Sequence, residues 1–134
     1  MSPLEIKSLH HIAIICSDYT KSKNFYTNVL GFEIIQEVYR EERRSYKLDL
    51  ALHGRYTIEL FSFPNPPTRP TRPEATGLRH IAFEVESVEN CVQKLTLKNI
   101  QAEPIRIDEL SGKKFTFFAD PDNLPIEIYE KSSS

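Results

Sequence analysis

Leu9-His10-His11-Ile12-Ala13-Ile14 returns later in the chain as Leu78-Arg79-His80-Ile81-Ala82-Phe83. Each copy leads on to an apolar-Glu-apolar triplet, Ile58-Glu59-Leu60 and Ile126-Glu127-Ile128. The interval from His11 to His80 matches that from Glu59 to Glu127 to within one residue, so the second half repeats the first almost in register. A solenoid needs a shorter unit and more copies of it. With 134 residues and 40% hydrophobic content, the chain is long enough for one ordinary domain made of two half-size modules.

Alternation inside the repeated segments says which way these residues point. Side chains in a strand face opposite sides in turn, so His11, Ala13 and Ile15 share one face while Ile12, Ile14 and Cys16 share the other. The same parity separates His80, Ala82 and Glu84 from Ile81, Phe83 and Val85. Glu59 and Glu127 each lie between two strongly apolar neighbours. If the Ile and Leu side chains pack against helices, both acids and both imidazoles face the opposite surface. Four such groups converging on a concave surface would hold one divalent ion, with nitrogen and oxygen ligands suited to Zn, Ni, Co or Mn.

The formal net charge of −2 argues against a basic nucleic-acid-binding surface. No apolar run approaches the ~20 residues of a membrane span, and no charged-then-apolar leader opens the chain. A cytoplasmic protein without nucleic-acid or membrane partners is expected. Cys16 and Cys91, the two cysteines, lack CxxC spacing and fall on core-facing positions, which predicts buried thiols.

In chain order, Ser8 to Cys16 reads as a strand, Ser17 or Asp18 as a cap, and Tyr19 to Leu30 as a helix with i,i+4 pairs Phe25 with Val29 and Tyr26 with Leu30. Gly31 ends that helix. Strands follow over Phe32 to Tyr39, Tyr46 to Leu52 and Tyr56 to Phe63, with a charged loop at Arg40 to Arg44 and a turn at His53-Gly54-Arg55. Alternation from Tyr46 to Leu52 puts Leu48, Leu50 and Leu52 in the core and leaves Lys47, Asp49 and Ala51 on the side of the proposed ligands. His10 falls on the apolar face as a structural imidazole. Pro64, Pro66, Pro67, Pro70 and Pro73 make residues 64–75 a linker, neither helix nor interior strand; its Arg69 and Arg72 either solvate an extended segment or close over an anionic substrate. The second module repeats the pattern: a strand at Leu78 to Val85, a Ser87 cap, a helix ending near Asn99, and strands near Ala102 to Ile107, Lys113 to Ala119 and Pro125 to Glu130. The modules are thus 6–63 and 76–131, each β-α-β-β-β, and the Lys131 to Ser134 tail is polar.

These modules, their His and Glu positions and the closing Phe118-Ala119-Asp120-Pro121-Asp122-Asn123-Leu124-Pro125-Ile126-Glu127 resemble the vicinal oxygen chelate superfamily, from about Lys7 to Glu130. That group includes glyoxalase I lyases, bleomycin- and fosfomycin-resistance proteins, extradiol dioxygenases and methylmalonyl-CoA epimerases. The resemblance implies an α+β fold, two tandem βαβββ modules forming a curved mixed sheet around a cleft. It also implies that His11, Glu59, His80 and Glu127 bind one catalytic divalent ion and that Glu127 or Glu59 leaves the metal to act as base.

Retention of all four ligands favours the lyase-like and epimerase-like branches. Bacterial lyases carry an Arg four residues after the first His and an Asn four after the first Glu, holding the carboxylates of glutathione; here Ile15 and Phe63 stand there. Losing charge-assisted bonds of roughly 1.5–3 kcal/mol each points away from glutathione and toward an uncharacterised lyase-like bacterial subgroup. The function expected is a metal-dependent lyase or isomerase acting on a small α-oxo or α-hydroxycarbonyl compound through a chelated enediolate, with Lys47, Asp49, Phe63 and Glu84 as substrate contacts. A coenzyme A thioester epimerase, an Fe(II) oxygenase or a non-enzymatic small-molecule-binding protein on the same fold are the alternatives. Unpaired strand edges, together with the family's habit of pairing modules between chains, lead to the expectation of a homodimer.

Overall fold

The computed structural model describes residues 2–132, and the chain divides into two compact units, Met1–Pro66 and Pro67–Ser134. The division falls inside the Pro-rich segment, and residues 63–80 contain neither helix nor strand. Each unit carries one four-stranded mixed sheet with a helix against it.

In the first unit β1 (Ile12–Cys16) is followed by α1 (Tyr19–Asn24), β2 (Glu33–Arg40), β3 (Ser45–Leu52) and β4 (Arg55–Ser62), in the sheet order β1-β4-β3-β2. β1 runs parallel to β4, and the other pairs are antiparallel. Asp18 caps α1 by accepting from the amide of Lys21, 3.1 Å away, which satisfies a donor the first turn leaves free.

The predicted continuous helix to Leu30 instead becomes a π-helical turn over Phe25–Val29, closed by the amide of Leu30 donating to the carbonyl of Phe25 at 3.0 Å. The two consecutive aromatics of this turn, Phe25 and Tyr26, are both buried in the core. Gly31, at φ +86°, then reverses the chain into β2 in the left-handed conformation that glycine adopts most readily. Ile14, Leu48, Leu50, Ile58 and Leu60 form the core face of this sheet, with α1 resting on β4.

The second unit repeats the arrangement with β5 (Ile81–Val85), α2 (Val88–Leu97), β6 (Arg106–Ile107), β7 (Lys114–Ala119) and β8 (Pro125–Glu130), in the order β5-β8-β7-β6. Ser87 caps α2 by accepting from the amide of Asn90 at 3.2 Å. Val88 and Leu95 of α2 are buried over Phe118, Ile126 and Ile128 of β7 and β8. β6 is only two residues long, far shorter than the predicted Ala102 to Ile107. Its neighbouring chain is held instead by the amide of Glu103 donating to the carbonyl of Phe117 and by the Thr116 hydroxyl donating to the Glu103 carbonyl. Asp120 closes the turn into β8 by accepting from the amides of Asp122 and Leu124, and the turn's Asn123 takes a positive φ of 68°.

Arg69 is bonded within its own unit. Its guanidinium donates to the carbonyls of Leu78 and Arg79 and to the Thr71 hydroxyl. It ties the irregular segment down ahead of β5. Of the cysteines, Cys16 is buried as predicted, whereas Cys91 is only half-buried because it sits toward the flank of α2 rather than over the sheet; burial still pushes its thiol pKa upward.

Candidate functional site: two half-sites on matching sheet faces

Ladder partners in a sheet project to the same face, so the register locates the site. In the first unit Ala13 and Asp49 both lie opposite Glu59, and Lys47 lies opposite Phe61. These five side chains therefore share the face turned away from the Leu48 and Leu50 core. In the second unit Ala82 and Phe117 lie opposite Glu127, and Glu84 and Phe115 opposite Tyr129. Glu59 and Glu127 thus occupy equivalent positions in equivalent sheets, on the side away from the helix.

His11 and His80 each stand one residue before the ladder begins, at Ile12 and Ile81, rather than inside the strands expected from Ser8 and Leu78. Their imidazoles nonetheless reach the acids. His11 Nε2 lies 3.6 Å from Glu59 Oε1, and His80 Nε2 lies 3.1 Å from Glu127 Oε1. Each unit therefore presents one imidazole nitrogen and one carboxylate oxygen, face to face and partly open to solvent.

The surroundings of the two pairs differ. Glu59 Oε2 receives Lys47 Nζ at 3.3 Å and the Tyr56 hydroxyl at 3.2 Å. Lys47 also donates to both oxygens of Asp49, at 2.9 and 3.1 Å, and the Tyr56 hydroxyl lies 3.0 Å from Asp49 Oδ1. The Asp49 and Glu59 carboxylates raise the pKa of the Lys47 ammonium, Asp49 more strongly. Burial, reinforced by the same two carboxylates, pushes the Tyr56 hydroxyl far above its usual range and keeps it a donor. The Tyr56 ring stacks on His11 with centroids 5.0 Å apart. The second pair has an aromatic wall instead: the Phe117 ring meets His80 edge-on at 5.0 Å, and Phe115 stacks with Tyr129.

Tyr56 is the site residue that alternation misses. Counting back from Glu59 by twos puts it on the core face with Ile58, but the register jumps from Leu50↔Ile58 to Ala51↔Tyr56. Thr57 is an extra residue in β4, a β-bulge, and the bulge turns Tyr56 onto the face of Glu59. Nothing in Tyr56-Thr57-Ile58 distinguishes a bulge from a plain strand. His10 departs in the opposite way: expected on the apolar face, it is exposed, with its Nδ1 2.8 Å from that of His11, because it lies ahead of the ladder whose alternation would govern it.

Of the expected substrate contacts, Lys47 and Asp49 belong to the polar network. Phe63 stacks on Phe61, with the Arg43 guanidinium 5.0 Å above its ring. Glu84 stands exposed on the Glu127 face. Among the described residues no group of three or more His, Cys, Asp or Glu side chains is gathered into a metal cluster. Each unit supplies two donors. A tethered carboxylate such as Glu59, held at one oxygen and directed to an imidazole with the other, fits the outer support that metal-binding carboxylates receive.

A two-sheet chain with a His-Glu pair at the same register position in each half is matched by the profile of the glyoxalase/bleomycin resistance protein/dioxygenase superfamily over residues 8–128. The chain belongs to that superfamily. It is 68% identical over 126 residues to the uncharacterized protein YwkD of Bacillus subtilis strain 168, covering 94% of this chain and 98% of that one. It is 30% identical to Glyoxylase I 4 of Arabidopsis thaliana, over 95% of this chain and 72% of the other. The crystal structure of a glyoxalase family protein from Enterococcus faecalis superposes with a TM-score of 0.85 at 48% identity, covering 92% of this chain and 98% of that chain. No described helix of this superfamily member is long and apolar enough to cross a membrane.

Proposed function

We propose that the protein is a divalent-metal-dependent lyase or isomerase of the glyoxalase I-like type, acting on a small α-oxo or α-hydroxycarbonyl substrate at a site built from His11, Glu59, His80 and Glu127. The observation that carries this reading is the repetition of one imidazole-carboxylate pair, at 3.6 and 3.1 Å, at the same register position of two sheets. A complete donor set takes one half of each kind, from one chain or from two copies of it, and the homodimer is the assembly expected.

When bound, a divalent ion of the Zn, Ni, Co or Mn class would polarise two vicinal substrate oxygens and stabilise the charge that develops on them when a neighbouring proton leaves. The chain's own residues divide the remaining tasks unequally. Glu59 is held at Oε2 by Lys47 and Tyr56, which suits a carboxylate that stays in place. Glu127 faces His80 at Oε1 and has Phe117 opposite it in the ladder, with no comparable clamp among the described contacts, which suits the carboxylate that accepts the proton. Asp49 and Lys47 would orient polar groups of the substrate on the first half.

Ile15, 55% exposed on the His11 side, and Phe63 offer no hydrogen bond to a glutathione carboxylate, so the hemithioacetal of methylglyoxal and glutathione should be a poor substrate. Elemental analysis of purified protein tests the proposal, followed by a turnover screen with the metal found. Close to one ion per chain is expected, with occupancy falling sharply in His11→Ala and in Glu127→Ala. Unchanged metal content in both variants would overturn the site.

A further inference from the structure

Three arginines of the second unit surround a pocket that the His80-Glu127 pair does not use. The pocket has a volume of about 180 Å³ and is lined by Thr71, Arg72, Arg79, Arg106, Phe117 and Pro125, together with Glu74 and Glu103. Phe117 and Pro125 project from the same sheet face as Glu127, because Phe117 is the ladder partner of Glu127 and Pro125 lies two residues before it. The pocket therefore opens on the site face. Arg79 and Arg106 both lie against the Phe117 ring, with guanidinium carbons 5.9 and 5.6 Å from its centroid, and Arg106 also lies over Phe115. The ring that seats them is the one that meets His80 edge-on at 5.0 Å.

The charge balance of the pocket is uneven. Arg79 pairs with Glu74 at 2.9 Å and Arg106 with Glu103 at 3.0 Å, both pairs largely exposed. Arg72 has no acidic partner among the described residues. Three guanidinium groups thus face two carboxylates around a space large enough for a carboxylate or phosphate group. Arg79 spends Nε and Nη2 on Glu74 and has Nη1 3.0 Å from His80 Nδ1, whereas Glu103 satisfies only part of the Arg106 fork. Arg69, by contrast, spends its donors on the Leu78 and Arg79 carbonyls. It fastens the segment from which Arg72 projects, and the Thr71 hydroxyl fastens it again by donating to the Asn123 carbonyl at 2.8 Å. The irregular segment is therefore anchored on both sides of the pocket.

We infer that Arg72, Arg79 and Arg106 form a subsite for an anionic group, a carboxylate or a phosphate, carried by the small-molecule substrate beside His80, whose Nδ1 lies 3.0 Å from Arg79 Nη1. Assigning that group to the substrate rests on the function proposed above; the binding of an anion does not. The exposed Glu74 and Glu103 pairs keep the arginines extended over Phe117 in the absence of ligand and yield to an anionic group that several guanidinium forks hold together.

The test is an NMR titration of isotopically labelled, metal-free protein at fixed ionic strength, with inorganic phosphate in one arm and acetate in the other. Saturable shifts confined to the signals of Thr71, Arg72, Arg79 and Arg106 are expected, with the dissociation constant rising about tenfold in Arg106→Gln. Arg72→Gln serves as a second variant outside the strands and should weaken binding similarly, while Arg43→Gln on the other unit should leave it unchanged. Tighter binding of phosphate marks a phosphate-bearing substrate and tighter binding of acetate a carboxylate-bearing one. Shifts that grow linearly without saturation, or that are equal in wild type and both pocket variants, would overturn the subsite. Since the titration uses metal-free protein and metal content is measured separately, either proposal can fail while the other stands.

Discussion

Replacing Tyr56 by Phe isolates one hydroxyl in the first half-site. The ring that stacks on His11 at 5.0 Å remains, and the substitution removes only the donor to Glu59 Oε2 at 3.2 Å and Asp49 Oδ1 at 3.0 Å. One hydroxyl carries one proton, so these two contacts are shared and count as one hydrogen bond to a charged acceptor, worth about 1.5–3 kcal/mol when buried. The low end applies, because the site is partly open to water and Lys47 still holds Glu59 at 3.3 Å. About 1.4 kcal/mol corresponds to a tenfold loss, which is also the low end of the range for residues that support a metal ligand from behind.

Competition of the variant and the wild type against a chromophoric chelator for Zn or Co should therefore show about tenfold weaker metal binding, with thermal unfolding little changed. An affinity within twofold of wild type, in a protein where His11→Ala abolishes binding, would refute the idea that Tyr56 holds Glu59 in place. In that case the hydroxyl merely fills a polar corner of the sheet.

Leu50→Ala removes a side chain with no solvent exposure from the first sheet and should lower unfolding free energy by about 2–5 kcal/mol in a urea titration, with the midpoint falling and the slope unchanged. Glu37 is held below its ordinary pKa of 4.5, chiefly by the hydrogen bond from Lys23, then by that from Tyr19. A carboxylate depressed in the folded state stabilises above its unfolded pKa and loses that contribution as pH falls through the folded value; acidification below about 4.5 should thus destabilise wild type more than Glu37→Gln, as read from urea midpoints across that range. Mixing His11→Ala with His80→Ala protein locates the donor set. If sites form between chains, exchanged dimers recover one intact site beside one doubly broken site and metal binding partly returns, and if binding stays at the level of the separate variants after proven subunit exchange, each site lies within one chain.

The duplication, the β-α-β-β-β order and the faces of Glu59 and Glu127 are legible in the sequence because all three rest on period-two alternation and on an interval that any reader can count. The caps at Asp18 and Ser87 are legible for a similar reason, since a short oxygen-bearing side chain ahead of an apolar run has one obvious task. What escapes is geometry that breaks the count. The π-helical turn at Phe25–Val29 carries two neighbouring aromatics buried in a core that only the fold supplies. The placement of Tyr56 depends on one surplus residue in β4, and the seating of Arg79 and Arg106 on Phe117 joins residues from three separate segments. His10 escapes because alternation does not extend to a residue the ladder does not reach.

The bulge at Thr57 also bears on how a duplicated protein can stop being symmetric. A substitution changes one side chain where it stands, but one surplus residue absorbed as a bulge lets residues an odd number of positions apart share a face. In β4 this leaves Ile58, Glu59 and Leu60 where the second copy has Ile126, Glu127 and Ile128, and delivers a tyrosine beside the acid without disturbing the apolar register. Making the two halves alike again would accordingly take a change at Tyr56 itself, which stands opposite Ala51 where the second copy has Pro125 opposite Ala119. Removing Thr57 should close the bulge with Tyr56 directly before Ile58, still opposite Ala51 and still on the face of Glu59, so that the hold on one oxygen of Glu59 survives the deletion.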